Sequence, residues 1–266
     1  MARKSYGIVL YVILFIMVLL PVRALDLGIS PPDVNLKLNS GQVYQGEVYI
    51  FGSDEETMAI NASLMDWSLS STGEYQFLPL GTLKRSASPW ITFNPWNFNL
   101  PPKRGQKITY TIKVPTDASG SYWGTIIFNT NPTTIAGKDH YQVKVAGRIA
   151  FIIRIDINGS PLGGGSIERF HLDWNPTART LNAALRVKNS GVSFIRFKGR
   201  LELKDKQGQI VGKFPFKEGY VLPDSSREFT LSSAKLQLAP GFYVGLAVTD
   251  LGDRSLKAVQ TSLEIP

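Results

Sequence analysis

The sequence contains no cysteine and only two histidines among its 266 residues. Without a thiol, the protein has no cysteine nucleophile, no thiolate metal ligand, no disulfide and no acylated cysteine for a lipid anchor. Neither His140 nor His171 has a carboxylate or a second histidine at the spacing of metal ligands. We therefore expect no catalytic centre, no metal site and no cofactor, and we predict that the protein is not an enzyme.

Other patterns that carry chemistry are also missing. No serine lies in a Gly-x-Ser-x-Gly elbow, and Gly163–Gly165 lacks the lysine and the following helix of a phosphate-binding loop. The acidic cluster Asp54–Glu56 lacks the ligand spacing of a calcium loop. The formal net charge is +8, but the basic residues are scattered, so nucleic-acid binding is not indicated.

The N-terminus has the order of a cleavable signal peptide. Arg3 and Lys4 precede the apolar run Ile8–Leu20, and the small residue Ala24 follows shortly afterwards. This pattern predicts a signal peptide at 1–24 and a location in the periplasm or elsewhere in the extracytoplasmic envelope. An uncut membrane anchor is the alternative, but the run is short for a hydrocarbon core of about 30 Å. We expect no stable membrane insertion after cleavage.

The remainder of the chain shows period-2 alternation and almost no helical spacing. Seven alternating segments precede Asn158 and seven follow Gly165, with turn residues between them. Seven strands in about 120 residues fit an immunoglobulin-like sandwich. We predict an all-β protein with two immunoglobulin-like β-sandwich domains in tandem, at 25–157 and 166–266. The segment 158–165, NGSPLGGG, has the composition of a flexible joint and is the predicted linker.

The longest alternating segment is Gln142–Ile157, which we predict as one continuous strand. One phase is apolar except at Gly147, whereas the other carries Arg148 and Arg154. One face is therefore expected to meet a core and the other to meet water or an acidic partner. Two roles remain open for this strand. It closes a sandwich, or it also offers an exposed edge to a partner chain.

Several motifs resemble those of the periplasmic chaperones of pilus assembly, the PapD-like group. They are SPWITFNPWNFNLPPKRGQKITYTI, GSYWGTIIFN and AFIIRIDI in the first half, and VLPDSSREF and LAPGFYVGLAVTDLG in the second. The resemblance covers most of 25–266. It implies that the strand before the linker lends alternating apolar side chains to an incomplete secreted subunit. The donors implied here are Val145, Ile149, Phe151 and Ile153.

The resemblance also implies an anchor for the terminal carboxylate of the subunit. The family uses an arginine on the first strand and a lysine on the donor strand. In this sequence Ala150 stands where that lysine belongs, and the first strand offers Lys37 but no arginine. Arg148 lies two residues from Ala150 on the same face. Arg148 and Lys37 are therefore the candidate anion anchors.

The resemblance implies a chaperone-like protein that binds secreted subunits of a pilus or surface assembly. Those subunits are the expected partners, together with an outer-membrane usher. The alternative is a non-catalytic structural or adhesive envelope protein with the same fold, because a fold alone does not specify a function. A third hypothesis is a carbohydrate-binding module, in which Trp96 and Phe98 form an exposed platform that stacks on sugars.

Overall fold

The computed structural model describes residues 27–53, 56–131, 133–136, 142–253 and 255–266. The predicted signal peptide lies outside the described residues. The described ranges contain twenty β-strands and no α-helix, which confirms the prediction of an all-β protein. Within these ranges no helix is long and apolar enough to cross a membrane.

The first half of the chain forms two facing sheets and a separate hairpin. Its strands are β1 (Gly28–Ser30), β2 (Asp33–Leu38), β3 (Val43–Phe51), β4 (Met58–Leu69), β5 (Tyr75–Leu78), β6 (Ile91–Asn94), β7 (Asn97–Leu100), β8 (Gly105–Lys113), β9 (Ser121–Thr130), β10 (Thr133–Ala136), β11 (Gln142–Val145) and β12 (Arg148–Ile157). One sheet has the order β1-β3-β8-β6, and the other has the order β2-β12-β9-β4-β5 with β7 also paired to β4. Strands β10 and β11 pair only with each other among the described residues.

The second half also consists of two sheets. Its strands are β13 (Gly165–Asn175), β14 (Thr180–Asn189), β15 (Ile195–Lys204), β16 (Ile210–Pro215), β17 (Gly219–Val221), β18 (Ser225–Ser232), β19 (Gly241–Asp250) and β20 (Leu256–Ile265). The order in one sheet is β13-β14-β18, and in the other it is β16-β15-β19-β20 with β17 paired to β15. Both halves are therefore sandwiches, as the sequence predicted.

The prediction of one continuous strand over Gln142–Ile157 was wrong. The chain forms two strands that are separated by Ala146 and Gly147, and β11 pairs with β10 instead of continuing along β9. Gly147 is the position at which the apolar phase is interrupted. A glycine within a strand weakens it because it has no side chain to pack and loses more backbone entropy on folding.

Each sandwich has its own apolar core. In the first, the inward positions of β3, β8 and β12 are fully buried, including Val48, Ile50, Ile108, Ile112 and Phe151. A second cluster fills the space between the sheets of the second sandwich. Burial of each large apolar side chain contributes about 1.5–3 kcal/mol, so these clusters are the main source of stability in a chain without disulfides.

A third apolar cluster joins the two sandwiches. It contains Trp67, Trp123 and Ile152 from the first sandwich and Phe194 and Leu222 from the second. Hydrogen bonds reinforce it: Ser121 donates from its backbone N–H to the carbonyl of Val192 over 2.8 Å, and its Oγ accepts the N–H of Phe194 over 2.8 Å. The two sandwiches therefore share a buried contact.

The predicted linker is hydrogen-bonded at both ends. The N–H of Gly120 donates to Ser160 Oγ over 2.7 Å, and the carbonyl of Gly164 accepts the N–H of Ser190 over 2.9 Å. A Cβ at Gly164 would lie 2.5 Å from the nitrogen of Gly191, which is closer than packed atoms approach. Glycine at this position allows two backbone segments to cross in close contact.

This packing predicts different costs for two glycine substitutions in the linker. Gly159 and Gly164 have φ values of 76° and 91°, but a Cβ at Gly159 would meet nothing within 4 Å. We expect Gly159→Ala to lower the free energy of unfolding by about 1 kcal/mol through backbone strain alone. We expect Gly164→Ala to cost about 2–3 kcal/mol, because the backbone contact must also open. Urea unfolding followed by tryptophan fluorescence measures both, and equal costs would contradict the close crossing.

Candidate functional site

Strand β12 has two neighbours along most of its length and one neighbour at its start. It pairs with β9 over Arg148–Asp156 and with β2, in parallel, over Ile152–Ile157. Over Arg148–Phe151 no described strand pairs with the side that faces away from β9. These four residues form an open edge in the sheet, and we call them the β12 edge.

Two prolines explain why β2 does not cover the β12 edge. Pro31 and Pro32 precede β2, and the carbonyl of Pro32 accepts the N–H of Ile152 over 3.1 Å. Proline has no N–H, so neither residue can donate the next hydrogen bonds of the ladder. The chain upstream leaves this sheet, and β1 pairs with β3 in the opposite sheet.

The backbone groups of the β12 edge alternate in direction. In an antiparallel ladder, successive residues direct their N–H and C=O groups to opposite sides. The N–H of Ile152 points toward β2, so the same groups of Ala150 and Arg148 point to that side as well. The β12 edge therefore presents two N–H groups and two carbonyls that β9 does not use.

The four predicted donor residues differ in how much of their surface is exposed. Phe151 and Ile153 have no exposed surface and belong to the core of their own sandwich, and Ile149 is half-buried against that core. Val145 lies in β11, where its backbone pairs with Thr133, and its side chain is outside the described residues. Ile149 is thus the donor candidate at the β12 edge that retains part of its surface.

The opposite face of β12 is covered in its second half. Arg148 is exposed and Ala150 is half-buried, whereas Ile152 and Arg154 are 7% and 5% exposed. The expectation that this whole face meets water or an acidic partner was therefore wrong. The second sandwich packs there through Phe194, Leu222 and their neighbours, and alternation within one strand does not reveal contacts made by a distant part of the chain.

Arg154 is the polar centre of this covered face. Its Nη2 donates to the hydroxyl of Tyr75, and its Nη1 lies 3.5 Å from Oδ2 of Asp33. Its guanidinium carbon lies 4.8 Å from the ring centroid of Tyr220 and 5.6 Å from that of Trp67. Its Nε finds no hydrogen-bond partner among the described residues. The guanidinium thus links β12 to β2, β5 and the second sandwich at once.

Arg227, from the second sandwich, also lies at the contact between the two sandwiches. Arg227 donates from Nη1 to the carbonyl of Tyr220 over 2.9 Å, and burial lowers the pKa of its guanidinium. A Cβ at Gly73 would lie 2.0 Å from Nη2 of Arg227, so glycine leaves the room that this side chain occupies. The two sandwiches are therefore fitted to each other around arginine side chains as well as apolar ones.

The two candidate anion anchors are far apart. Arg148 lies at the β12 edge, where its Nε donates to Oδ1 of Asn129 over 2.8 Å. Lys37 is exposed on β2 directly beside Asp156, which is eight residues from Arg148 along β12. That separation corresponds to about 26 Å. The structure does not bring the two cations together, so one carboxylate cannot contact both.

Other predicted features can be placed as well. Trp96 is 61% exposed, but Phe98 packs against the core of the first sandwich, so the two rings do not form a shared platform. In the described part of the chain no three histidine, aspartate or glutamate side chains are grouped to hold a metal ion. The sequence reasoning missed Pro31 and Pro32, although the consecutive prolines before an alternating segment were a visible signal.

Comparison with known proteins finds likeness in fold. No protein-family model matches the sequence, and no curated protein matches it. One similar solved structure is a complex of a chaperone with a tip adhesin in CFA/I fimbriae biogenesis. It is 14% identical in sequence, the match covers 91% of this chain and 99% of that chain, and the TM-score is 0.48. The E. coli chaperone DraB has 13% identity, coverage of 91% and 98%, and a TM-score of 0.41. Both structures contain a chaperone, and the likeness to this chain is one of fold.

The alternation of the β12 edge predicts a pattern of amide hydrogen exchange. The N–H groups of Ile149 and Phe151 are bonded to β9, whereas those of Arg148 and Ala150 face the open side. We expect the amides of Arg148 and Ala150 to exchange at least about tenfold faster in the free protein. Amides that are not hydrogen-bonded exchange without local unfolding. Exchange measured residue by residue with ¹⁵N NMR tests this expectation. Equal protection of all four amides would mean that the edge is covered.

The surroundings of Arg154 predict a loss of stability when its guanidinium is removed. We expect Arg154→Met to lower the free energy of unfolding by about 1–3 kcal/mol, because the contacts with Tyr75, Tyr220 and Trp67 are lost. Arg148→Met is the matched control and should cost less than about 0.5 kcal/mol, since that side chain is exposed. Urea unfolding measures both. An Arg154→Met variant as stable as the control would rule out Arg154 as a link between the sandwiches.

Proposed function

We propose that this chain is an exported, non-catalytic, chaperone-like protein that binds a secreted subunit of a pilus or surface assembly through the β12 edge. The observation that carries the proposal is the change from two neighbouring strands to one at Ile152. A strand with one open side is a template for a strand from another chain. The motif resemblance to pilus-assembly chaperones supports the identity of the partner as a secreted subunit.

A partner strand would occupy the line that β2 leaves at Pro32. There it would meet the two N–H groups and two carbonyls of Arg148 and Ala150. With about 0.5–1.5 kcal/mol net for each hydrogen bond, four such bonds contribute about 2–6 kcal/mol. Backbone pairing of this kind is indifferent to sequence, so the selection of a particular subunit requires side-chain contacts in addition.

Side chains on both faces of the β12 edge can supply that selection. Ile149 lies on the core face at the end of the buried series and keeps part of its surface. Arg148 is exposed on the other face and is the cation available to a subunit carboxylate at this edge. Phe151 and Ile153 serve the protein's own core in this state, so Ile149, with Val145 beyond the break at Gly147, remains the proposed donor pair.

The β12 edge is protected against pairing with a second copy. It is four residues long, and it carries the charge of Arg148. Short and charged edges are the usual means by which β-proteins avoid edge-to-edge aggregation. Because four backbone groups alone give modest affinity, we expect a subunit to bind only where its side chains also match. A periplasmic location and an outer-membrane usher as a second partner belong to the same proposal, on the resemblance alone.

A proline at position 150 tests the proposal directly. Ala150→Pro removes an N–H on the open side without removing a hydrogen bond to β9, so the variant should remain folded. Ala150→Ser keeps the N–H and is the matched control. Tagged wild type and both variants are purified from the periplasm of the producing cells, and the associated proteins are identified by mass spectrometry. We expect a small β-rich exported protein with wild type and Ala150→Ser, and at least a tenfold loss, about 1.4 kcal/mol, with Ala150→Pro.

Two results would contradict the proposal. One is an exported subunit that is recovered equally with Ala150→Pro, which would place the binding surface elsewhere. The other is a wild type that recovers no associated protein and whose Arg148 and Ala150 amides exchange at the same rate when candidate subunits are added. That result would favour the alternative of a structural or adhesive envelope protein. Circular dichroism and thermal melting establish that each variant is folded before binding is compared.

A further inference from the structure

Four exposed apolar side chains lie close together at one end of the second sandwich. Ile210 and Val211 begin β16 and are 46% and 45% exposed, and Phe242 and Val244 at the start of β19 are 65% and 37% exposed. Lys204, at the end of β15, is the direct neighbour of both Ile210 and Val244 in the sheet. The four apolar residues therefore lie within three adjacent strands, and we call them the apolar tip.

The apolar tip is remote from the first sandwich. Strand β15 begins at Ile195, next to the residues that contact the first sandwich, and ends at Lys204. Nine residue steps along a strand correspond to about 30 Å. The apolar tip and the β12 edge are therefore separate surfaces, and an inference about one does not depend on the other.

Strand β19 is apolar on both of its faces, which is the pattern of a strand that is covered on both sides. The run FYVGLAV is apolar in both phases, which is typical of strands buried on two sides. Strand β12 is also apolar in both phases over Ala150–Ile153, and there the core covers one face and the third apolar cluster covers the other. In β19 one phase lies in the core, whereas Phe242 and Val244 are exposed in the described structure.

Positive charge surrounds the apolar tip. The turns and strand ends at this end of the sandwich carry four cations and two carboxylates: Arg179, Lys204, Lys206 and Lys235 against Asp205 and Glu264. The carboxylate of Asp205 accepts the N–H groups of Gln207 and Gln209 within its own turn, over 3.0 and 2.9 Å. The excess of two positive charges is therefore placed beside exposed apolar surface, and three of the four cations are lysines.

We propose that the apolar tip docks on the surface of a membrane that contains anionic lipids. The apolar side chains would enter the headgroup region while the lysine ammonium groups contact lipid phosphates. The choice of lysine favours a membrane over a protein partner, because protein interfaces are depleted in lysine. A lysine stem can instead lie along an apolar surface and carry its charge to a headgroup. Docking of this kind is peripheral and requires no segment that spans the bilayer.

The test uses flotation of the protein with vesicles of two compositions. Wild type should float with vesicles that contain phosphatidylglycerol and bind at least about tenfold more weakly to vesicles of phosphatidylcholine alone. Added salt should weaken the binding, since the charges are exposed. The double variant Phe242→Ser, Val244→Ser should lose it. The matched control is Val43→Ser, which removes an apolar side chain that is 58% exposed beside Lys113 in the first sandwich and should bind as wild type does.

Three results would overturn the inference. The first is a wild type that does not bind phosphatidylglycerol vesicles at low salt. The second is a folded double variant that binds as well as wild type, which would assign the binding to scattered basic residues. The third is self-association of wild type that rises with concentration, disappears in the double variant and is unaffected by vesicles. That result would make the apolar tip a contact between two copies of this chain.

Discussion

The absence of an amide hydrogen at Pro31 and Pro32 is the constraint on which the arrangement around β12 depends. Strand β2 can accept one more hydrogen bond, at the carbonyl of Pro32, but it can donate none upstream of Asp33. The chain must therefore leave the sheet, and β1 completes the opposite sheet by pairing with β3. One local feature of the covalent chain both closes the first sandwich and leaves the β12 edge open.

The remainder of β12 holds that edge in place. Its inward face is part of the first core, and its outward face is covered by the second sandwich around Arg154. A strand covered on both faces cannot twist or slide freely, so the open backbone groups keep a fixed direction. The hydrogen bonds of Ser121 add to this rigidity, because the second sandwich cannot swing away without breaking them.

Period-2 alternation predicted most of the strands because a strand with one face on a core alternates between apolar and polar residues. Alternating segments were predicted on both sides of the segment 158–165, and the structure has strands in both halves. The same signal failed for Gln142–Ile157, where one glycine separates two strands, and for the outer face of β12, which a distant sandwich covers. Composition also cannot distinguish a glycine that allows movement from one that allows two backbones to touch, as Gly164 and Gly191 do.

Rigidity at the β12 edge has a consequence for binding. A partner strand must lose its own conformational freedom when it pairs, whereas the residues of β12 are already ordered by their core and by the second sandwich. The ordering cost of such pairing therefore falls mainly on the partner strand. The second sandwich contributes to this arrangement at one end through Phe194 and Tyr220, and its opposite end remains available for a different contact. The length of β15 thus separates the surface that fixes the edge from the surface that carries exposed apolar and basic side chains.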